Sequence, residues 1–496
     1  MPDTRKFPAH LHAQKVFNEL WKAVAPHRPD DTITLYLEGD LTKYRHDTDR
    51  ELPFRQESNF YYLTGCDIPG SRLVATCKGQ GEESDIKLTL LIPEVDELDV
   101  MWSGMPLLPH EVLEQLDVDE VLNLDDYNEL IEKISPSGIH ILPNYKVPYS
   151  LTAYPVSDKH LLMACQEARL TKTPYEVELI QQANDISSRA HEGVMRSLGS
   201  GNLSSEYEAT AVFNYYCAKQ NSKGLAYEVI AASGTNAGTL HYIKNHRSFP
   251  STEHADLLLL DAGCEWKYYG ADISRTFPVG NGGKFSKEAK EIYQLVEAMQ
   301  DAVYVHLRPG CVWEDMQLLM HKTLAGGLLK LGILKAPTTT KSVSTSTTAG
   351  QDDAQGFRDS NKLIQDILKS GITAAFCGHG LGHALGLDVH DCPLAARPNG
   401  PSDHPLAKYL RFRRVLEEGH VVTVEPGCYF NPFQLQPFMD SPYLDKEVLE
   451  RYMSVGGVRI EDDILVTRNG FHNFTTVPRS VEEVERLCQM NVPIGQ

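Results

Sequence analysis

Acidic side chains in apolar surroundings are the residues of this sequence that are best placed to do chemistry. Asp261 follows four consecutive leucines, and Asp272 lies in the tyrosine- and glycine-containing segment that comes next. Glu425 follows Val-Val-Thr-Val, and Glu461 follows Gly-Val-Arg-Ile. A buried carboxylate costs free energy unless something neutralises it. Two turn aspartates explain Asp261 and Asp272 about equally well when that pair is taken alone.

Three histidines lie in the glycine-rich stretch between residues 378 and 390. His379 and His383 are four residues apart, and His390 comes seven residues later. Glycines let the backbone approach a ligand closely. A single histidine is more often an ordinary core residue, but three histidines among four glycines indicate a site.

Two further residues gain meaning only from this context. By strand alternation Arg459 shares a face with Glu461, so a plain ion pair between them is one interpretation. That interpretation leaves unexplained why four carboxylates and a histidine occur in similar apolar settings. His241 lies in a polar stretch just before the leucine run, and that position alone says little.

Oxygen donors together with an imidazole suit divalent ions such as Mn(II), Co(II) or Zn(II). Four carboxylates balance the charge of two such ions, because 4 × (−1) offsets 2 × (+2). Two ions about 3.5–4 Å apart share a water, lower its pKa and hold the oxyanion that forms on attack. The sequence has no Walker-type phosphate loop, Rossmann fingerprint or His-Glu-x-x-His motif;.

Short strands and helices alternate along the chain, which predicts an α+β protein of two domains. Strands are predicted at 33–38 and 87–92 in the first part, and at 256–262, 268–277, 421–424 and 458–466 in the second. A long amphipathic helix over 166–197 marks the boundary, giving domains 1–165 and 166–496. Residues 338–355 are rich in Ser, Thr, Ala, Gln and Asp, which predicts a surface-loop insertion;.

The motifs together resemble those of the pita-bread dinuclear metallopeptidases that cleave before proline, the Xaa-Pro aminopeptidases and Xaa-Pro dipeptidases (prolidases). The resemblance rests on the segments 272–278, 379–391, 423–427 and 457–463. Residues 54–60 and Gly65 are similar to the family's N-terminal domain. The resemblance implies an N-terminal α/β domain that is aminopeptidase-P-like and non-catalytic. A catalytic domain with a curved antiparallel sheet and flanking helices follows it.

The resemblance also implies a role for each candidate residue. Asp261 ligates one metal ion, and His383 and Glu425 ligate the other. Asp272 and Glu461 bridge the two ions. Glu425 also moves the proton from the water to the leaving nitrogen. Substrate contact and oxyanion stabilisation fall to the remaining candidates, which are His379, His390, His241 and Arg459.

The activity implied is hydrolysis of the bond between an N-terminal residue and a following proline, with Mn(II) as the expected metal and Co(II) or Zn(II) as alternatives. A prolidase restricted to dipeptides also fits, because Arg411 could hold a substrate carboxylate. Metal-free relatives that serve as binding modules, or that hydrolyse C–N bonds as creatinase does, fit less well because all five ligand positions are intact.

The chain has 47 basic and 67 acidic residues, a net charge of −20. A surface this acidic repels phosphate backbones, so we expect neither nucleic acid nor anionic membranes as partners. The ten scattered cysteines and the absence of an apolar stretch near Met1 predict a cytoplasmic protein with reduced thiols;. The partners expected are peptides with proline at the second position and, by the resemblance, a second copy in a homodimer.

Overall fold

A computed structural model describes the chain over residues 5–24, 31–81, 84–143, 145–199, 203–249, 255–337, 352–490, 492 and 494–495. The chain divides into two compact units between Leu170 and Thr171. In the described part, no helix carries an apolar run of the length needed to cross a bilayer.

The first unit is built on a six-stranded mixed sheet in the order β4-β3-β2-β1-β5-β6. Its strands are β1 Thr32–Glu38, β2 Arg72–Lys78, β3 Asp85–Ile92, β4 Glu120–Asn123, β5 Ile139–His140 and β6 Val156–Ser157. Its helices are α1 Ala9–Ala23, α2 Ser58–Thr64, α3 Glu97–Ser103, α4 Pro109–Gln115, α5 Tyr127–Ile134 and α6 Leu161–Leu170. Apolar side chains of β1–β3 and α5 form a shared core, for example Tyr36, Val74, Leu91 and Ile131;.

The second unit combines helices with several small antiparallel sheets. Its helices are α7 Pro174–Gly199, α8 Glu206–Lys219, α9 Lys287–Tyr304, α10 Trp313–Lys330, α11 Asp352–Ser370, α12 Thr373–Phe376, α13 Pro432–Leu435, α14 Lys446–Tyr452 and α15 Val481–Cys488. Its strands are β7 Gly224–Leu225, β8 Ile230–Ser233, β9 Asp256–Asp261, β10 Cys264–Trp266, β11 Tyr269–Gly270, β12 Ser274–Val279, β13 Val421–Val424, β14 Gly427–Tyr429, β15 Gly457–Arg459, β16 Asp462–Thr467 and β17 Gly470–Asn473.

Two of these sheets lie next to the candidate site residues. One has the order β12-β9-β8 and the other the order β13-β16-β17, while β14 pairs with β15 alone. A single bridge between Ser274 and Glu461 connects the first sheet to the β15–β16 segment. Leu257–Leu260 of β9 are buried throughout, as expected for a strand covered on both faces;.

The long helix predicted over 166–197 is two helices, α6 and α7. The chain leaves the helical path because Lys172 N donates to Gly419 O at 2.8 Å and Pro174 begins α7. A residue that precedes proline is disfavoured in the α conformation. Thr173 and Glu176 then exchange backbone and side-chain hydrogen bonds, which caps the new helix;.

Two predicted strands are also interrupted. The strand expected over 268–277 is β11 and β12, because Asp272 N donates to the Asp463 carboxylate at 2.9 Å instead of to a neighbouring strand. The strand expected over 458–466 is β15 and β16, because Glu461 N donates to Ser274 O at 3.0 Å. Both interruptions fall at candidate site residues.

The loop predicted over 338–355 differs at its end. Residues 338–351 lie outside the described part of the chain, so the prediction stands there only as a prediction. The last four residues of the predicted loop are instead the first turn of α11, which begins at Asp352.

Lys172 and Asp391 form an ion pair inside the second unit. Their Nζ and Oδ2 atoms are 3.0 Å apart, and each side chain is only 1% exposed. Gly386 leaves the room for this pair, since a Cβ there would lie 2.4 Å from Asp391 Oδ2. The ion pair therefore depends on a glycine of the glycine-rich stretch 378–390.

Replacing Asp391 with asparagine should lower the free energy of unfolding by about 3–5 kcal/mol, because the buried Lys172 ammonium loses its counter-charge. The matched control is Asp440→Asn, which removes an exposed partner of Lys446 and should change stability by less than about 0.5 kcal/mol. Thermal and denaturant unfolding measure both. Equal losses in the two variants would contradict this account of Lys172.

Candidate metal centre

The four acidic candidates lie close together, and each is at the end of a strand or in a break between two strands. Asp261 is the last residue of β9 and pairs in register with Ser274 of β12. Asp272 stands in the break just before β12, and the Ser274–Glu461 bridge brings in the third carboxylate. Glu425 follows the last residue of β13. We call Asp261, Asp272, Glu425 and Glu461 the carboxylate cluster.

His383 reaches the cluster through a close approach of two backbones. Its N–H donates to Thr423 Oγ1 at 3.1 Å, and Thr423 N donates back to its carbonyl at 2.9 Å. Gly382 makes this possible, because a Cβ there would lie 1.9 Å from Thr423 O. The predicted need for glycine in this segment has this physical cause.

Three of the five candidate ligands converge on one point. Asp272, His383 and Glu461 each offer one ligand atom, and these atoms lie within 4.8 Å of one another. His383 Nε2 is 3.3 Å from Asp272 Oδ2. All three residues are buried. The geometry fits a metal ion held by oxygen and imidazole donors.

The other two candidates border this group. Glu425 Oε1 is 3.5 Å from His383 Nε2. Asp261 accepts hydrogen bonds from Tyr227 Oη at 2.6 Å and from Arg459 Nη2 at 2.5 Å. All five candidate ligands line one cavity of about 580 Å³, a size typical of small-ligand sites.

The pKa values show that the cluster is short of positive charge. Burial raises the pKa of Glu425 to about 7 and that of Asp261 above its ordinary value. Burial, together with the nearby Asp272 and Glu425 charges, raises the pKa of Glu461 strongly. For Asp272, burial is outweighed by the hydrogen bonds and charges of its neighbours together, chiefly His383, so its pKa is lowered.

His383 responds in the opposite direction. Burial would lower its pKa, yet contact with Asp272 and the charge of Glu425 raise it to about 9. The two carboxylates thus stabilise a positive charge placed between them. Divalent ions would supply that charge without a proton, so the donor set fits the metal chemistry expected from the sequence.

The remaining candidates line the same cavity. His379 Nε2 lies 2.8 Å from Tyr429 Oη, and His383 and His390 meet edge to face with their ring centroids 4.4 Å apart. Burial lowers the pKa of both His379 and His390 to about 3, so each is neutral near pH 7. His241 belongs to another segment that lines the cavity, 238–241.

Arg459 connects several of these groups. Its guanidinium donates to Ser274 Oγ and Tyr429 Oη, both at 2.9 Å, in addition to Asp261. Its Nε is 3.9 Å from Glu461 Oε2, so the predicted ion pair with Glu461 is the longer of its two acidic contacts. Arg459 therefore compensates part of the cluster's charge.

Sequence reasoning missed several supporting residues. Tyr227, Ser274, Thr423 and Asp463 each hydrogen-bond a candidate ligand. Ser274 donates to Glu461 Oε2 at 2.6 Å, and its place between Asp272 and the arginine of the same motif was the available signal. Asp463 is the last residue of the 457–463 motif, which was a similar signal, whereas Tyr227 carried none, since its partner is distant in sequence.

Known proteins match both parts of the chain. The profile described as "Metallopeptidase family M24" matches residues 178–468, and "Aminopeptidase P, N-terminal domain" matches residues 12–140. A "Probable Xaa-Pro aminopeptidase PEPP" of Paracoccidioides brasiliensis is 38% identical and is aligned over 97% of each chain. A "Probable Xaa-Pro aminopeptidase pepP" of Pyrenophora tritici-repentis is 39% identical over 97% of this chain and 96% of its own.

Solved structures agree. A variant of Escherichia coli aminopeptidase P in complex with substrate superposes with a TM-score of 0.75 at 25% identity, over 98% of this chain and 99% of that chain. Proline aminopeptidase P II from Yersinia pestis gives 0.74 at 26% identity, over 97% and 99%. These matches confirm the predicted fold class and the family resemblance.

Asp272→Asn and Glu461→Gln should each weaken Mn(II) binding by more than about 10-fold, because each removes a charged ligand atom from the convergent group. Peptide hydrolysis should be abolished while the circular dichroism spectrum stays that of the folded protein. Isothermal titration calorimetry and metal analysis measure the binding. Glu418→Gln, an exposed change just before β13, is the control. Wild-type metal content in both cluster variants would refute their ligand role.

Proposed function

The chain belongs to metallopeptidase family M24, and on that premise we propose that it is an Xaa-Pro aminopeptidase. It is a peptidase that depends on divalent metal ions. The reaction proposed is hydrolysis of the bond between an N-terminal residue and a following proline. The observation that carries this is the complete ligand set, with four carboxylates and His383 lining one cavity, in a chain whose relatives bear that name.

We assign two divalent ions to the cluster, with Mn(II) as the proposed metal. Asp261 would ligate one ion, His383 and Glu425 the other, and Asp272 and Glu461 both. The charge balance supports two ions, because four carboxylates offset 2 × (+2). Co(II) and Zn(II) suit the same donors.

When bound, such ions supply an activated water and positive charge for the developing oxyanion. Glu425 would accept the proton of the attacking water and deliver it to the leaving proline nitrogen. Its carboxylate lines the cavity, with Oε1 3.5 Å from His383 Nε2. His379 and His390 are neutral and line the cavity, where they would contact the substrate.

Proline accounts for the need for a dedicated site. Its nitrogen has no hydrogen to donate and its ring fixes φ, so a general peptidase that binds the substrate backbone by hydrogen bonds engages this bond poorly. In this cavity, the side chains of a tyrosine and of histidines, instead of the backbone of a strand, are available to contact the substrate. Peptides with proline at the second position are therefore the proposed substrates.

A prolidase is the second candidate, and one observation favours it. Arg411 lines the same cavity and would pair with the carboxylate of a dipeptide. The names of the relatives favour the aminopeptidase. The two proposals differ in the length of substrate that the cavity accepts.

The Mn(II)-loaded protein should hydrolyse Xaa-Pro-Yaa tripeptides at least as efficiently as Xaa-Pro dipeptides, measured as kcat/KM by release of the N-terminal residue. Arg411→Gln should reduce dipeptide turnover more than turnover of the tripeptide amide, which has no free carboxylate. Hydrolysis of dipeptides alone would replace the aminopeptidase assignment with prolidase. An unchanged Arg411→Gln profile would remove the arginine from substrate binding.

We also propose a homodimer that acts in the cytosol. Helix α3 has no buried residue, and it exposes Leu98 at 79%, Met101 at 75% and Trp102 at 80%. A contiguous apolar surface of this kind is typical of an interface.

All ten cysteines are free thiols, which supports a reducing compartment such as the cytosol;.

The double variant Leu98→Ser/Trp102→Ser should shift the protein from dimer to monomer in sedimentation velocity, because it removes apolar area from the proposed interface. Tyr149→Ser is the matched control, since it removes an aromatic residue that is 92% exposed on the same unit but lies outside α3. A wild-type protein that sediments as a monomer at micromolar concentration would contradict the dimer.

A further inference from the structure

One wall of the metal-site cavity is a single loop, residues 234–247, which follows β8. Gly238, Thr239, Leu240 and His241 of this loop line the cavity. Between Gly234 and Arg247 the described backbone belongs to a 3-10 helix and turns, with no strand to hold it. Other contacts must therefore fix where His241 stands.

Glu206, in the first turn of α8, provides these contacts. Its carboxylate is completely buried, and it accepts hydrogen bonds from both ends and the middle of the loop. The donors are Ser233 N at 2.7 Å, Ser233 Oγ at 2.8 Å, Asn236 Nδ2 at 3.0 Å, Tyr242 Oη at 2.9 Å and Arg247 N at 2.9 Å. One carboxylate thus fixes four residues of the segment that carries His241.

The electrostatics agree with this geometry. Burial alone would raise the pKa of Glu206, but hydrogen bonds from Asn236, Ser233 and Arg247 lower it below the ordinary value. The carboxylate is therefore ionised, as an acceptor of five hydrogen bonds must be.

Three further side chains fix parts of the same loop. The Arg247 guanidinium donates to Ser233 O at 2.7 Å and forms an ion pair with Asp256 at 3.0 Å. Asn245, at a φ of 48°, accepts from Ala231 N at 3.0 Å and donates to Val229 O at 2.7 Å. Asn431 donates to Gly238 O at 2.9 Å. Arg247 also connects the two ends of the loop. Of these side chains, Glu206 is the one that connects the ends and in addition bonds Asn236 and Tyr242, the neighbour of His241.

We propose that Glu206 is the residue that positions His241 against the substrate, by closing the loop 234–247 around its buried carboxylate. This rests on the proposed function for the substrate contact of His241, but the loop closure itself does not. Glu206 would touch neither substrate nor metal, so it is a positioning residue.

Glu206→Gln tests the proposal with little change in volume. The amide cannot accept at both ends, so its NH2 group would face donors such as Arg247 N or Tyr242 Oη. We expect kcat/KM for an Xaa-Pro-Yaa peptide to fall about 10- to 100-fold, as misplacement of a contact residue does. Glu208→Gln is the control, because Glu208 lies in the same helix but is exposed and bonds only to Ser204 and Ser205 among its described contacts.

A double-mutant cycle separates positioning from general stability. If Glu206 acts through His241, then His241→Ala combined with Glu206→Gln should be no slower than His241→Ala alone. If the losses in kcat/KM of the two single variants multiply in the double variant, the proposal is overturned. A wild-type kcat/KM in Glu206→Gln would also overturn it. Tyr242→Phe, which removes one donor to the same carboxylate, should show a smaller loss with the same lack of additivity and serves if Glu206→Gln does not fold.

Hydrogen exchange followed by mass spectrometry provides a readout that needs no activity. The amides of Ser233 and Arg247 donate directly to Glu206, so peptides covering 233–247 should exchange faster in Glu206→Gln, while those covering β9 and β12 should not. Unchanged exchange in 233–247 would refute the loop closure. If exchange in 233–247 is faster in Glu206→Gln, as expected, but the wild-type protein cleaves no Xaa-Pro peptide, the proposed function is refuted and the loop closure stands.

Discussion

Repulsion among four carboxylates, three of them buried and that of Glu425 partly exposed, is the constraint on which the second unit depends. Asp261 ends a strand of consecutive leucines, and surroundings of such low polarity strengthen the interaction between charges;. Arg459 compensates Asp261, and His383 lies between Asp272 and Glu425. One guanidinium and one imidazole cannot balance four carboxylates. Burial, together with the uncompensated charges of Asp272 and Glu425, raises the pKa of Glu461 strongly, and divalent ions would complete the site.

A cluster of this kind also requires rigid support, because like charges would otherwise move apart. Three of these carboxylates accept a hydrogen bond from outside the group: Asp261 from Tyr227, Glu461 from Ser274 and Glu425 from Thr423. Asp272 is fixed through its backbone, which donates to the carboxylate of Asp463. These partners come from different sheets and loops. The small sheets of the unit are therefore connected through the site as well as through their ladders.

The sequence predicted which residues line the cavity better than the elements that hold them. Residue type and apolar context single out Asp261, Asp272, Glu425 and Glu461, because a buried charge needs a reason to be there. The family resemblance selected His383 from the three histidines. Family resemblance added roles that no pattern could supply. Neither source indicated Tyr227 or Glu206, because their contacts join segments far apart in sequence and a lone tyrosine or glutamate has no local signature. Pairings of that kind depend on tertiary structure.

The errors in secondary structure have a common cause. The helix over 166–197 and the strands over 268–277 and 458–466 were each predicted as continuous, and each is interrupted where a polar side chain or a neighbouring backbone takes over a hydrogen bond. At Asp272 and Glu461 the interruption turns a carboxylate out of the ladder and toward the other ligands. Asp272 stands just before β12 and Glu461 just before β16, so the two acids leave their ladders on either side of the Ser274–Glu461 bridge. Local regularity therefore fails where the site requires convergence, as expected when function overrides the preferences of single elements.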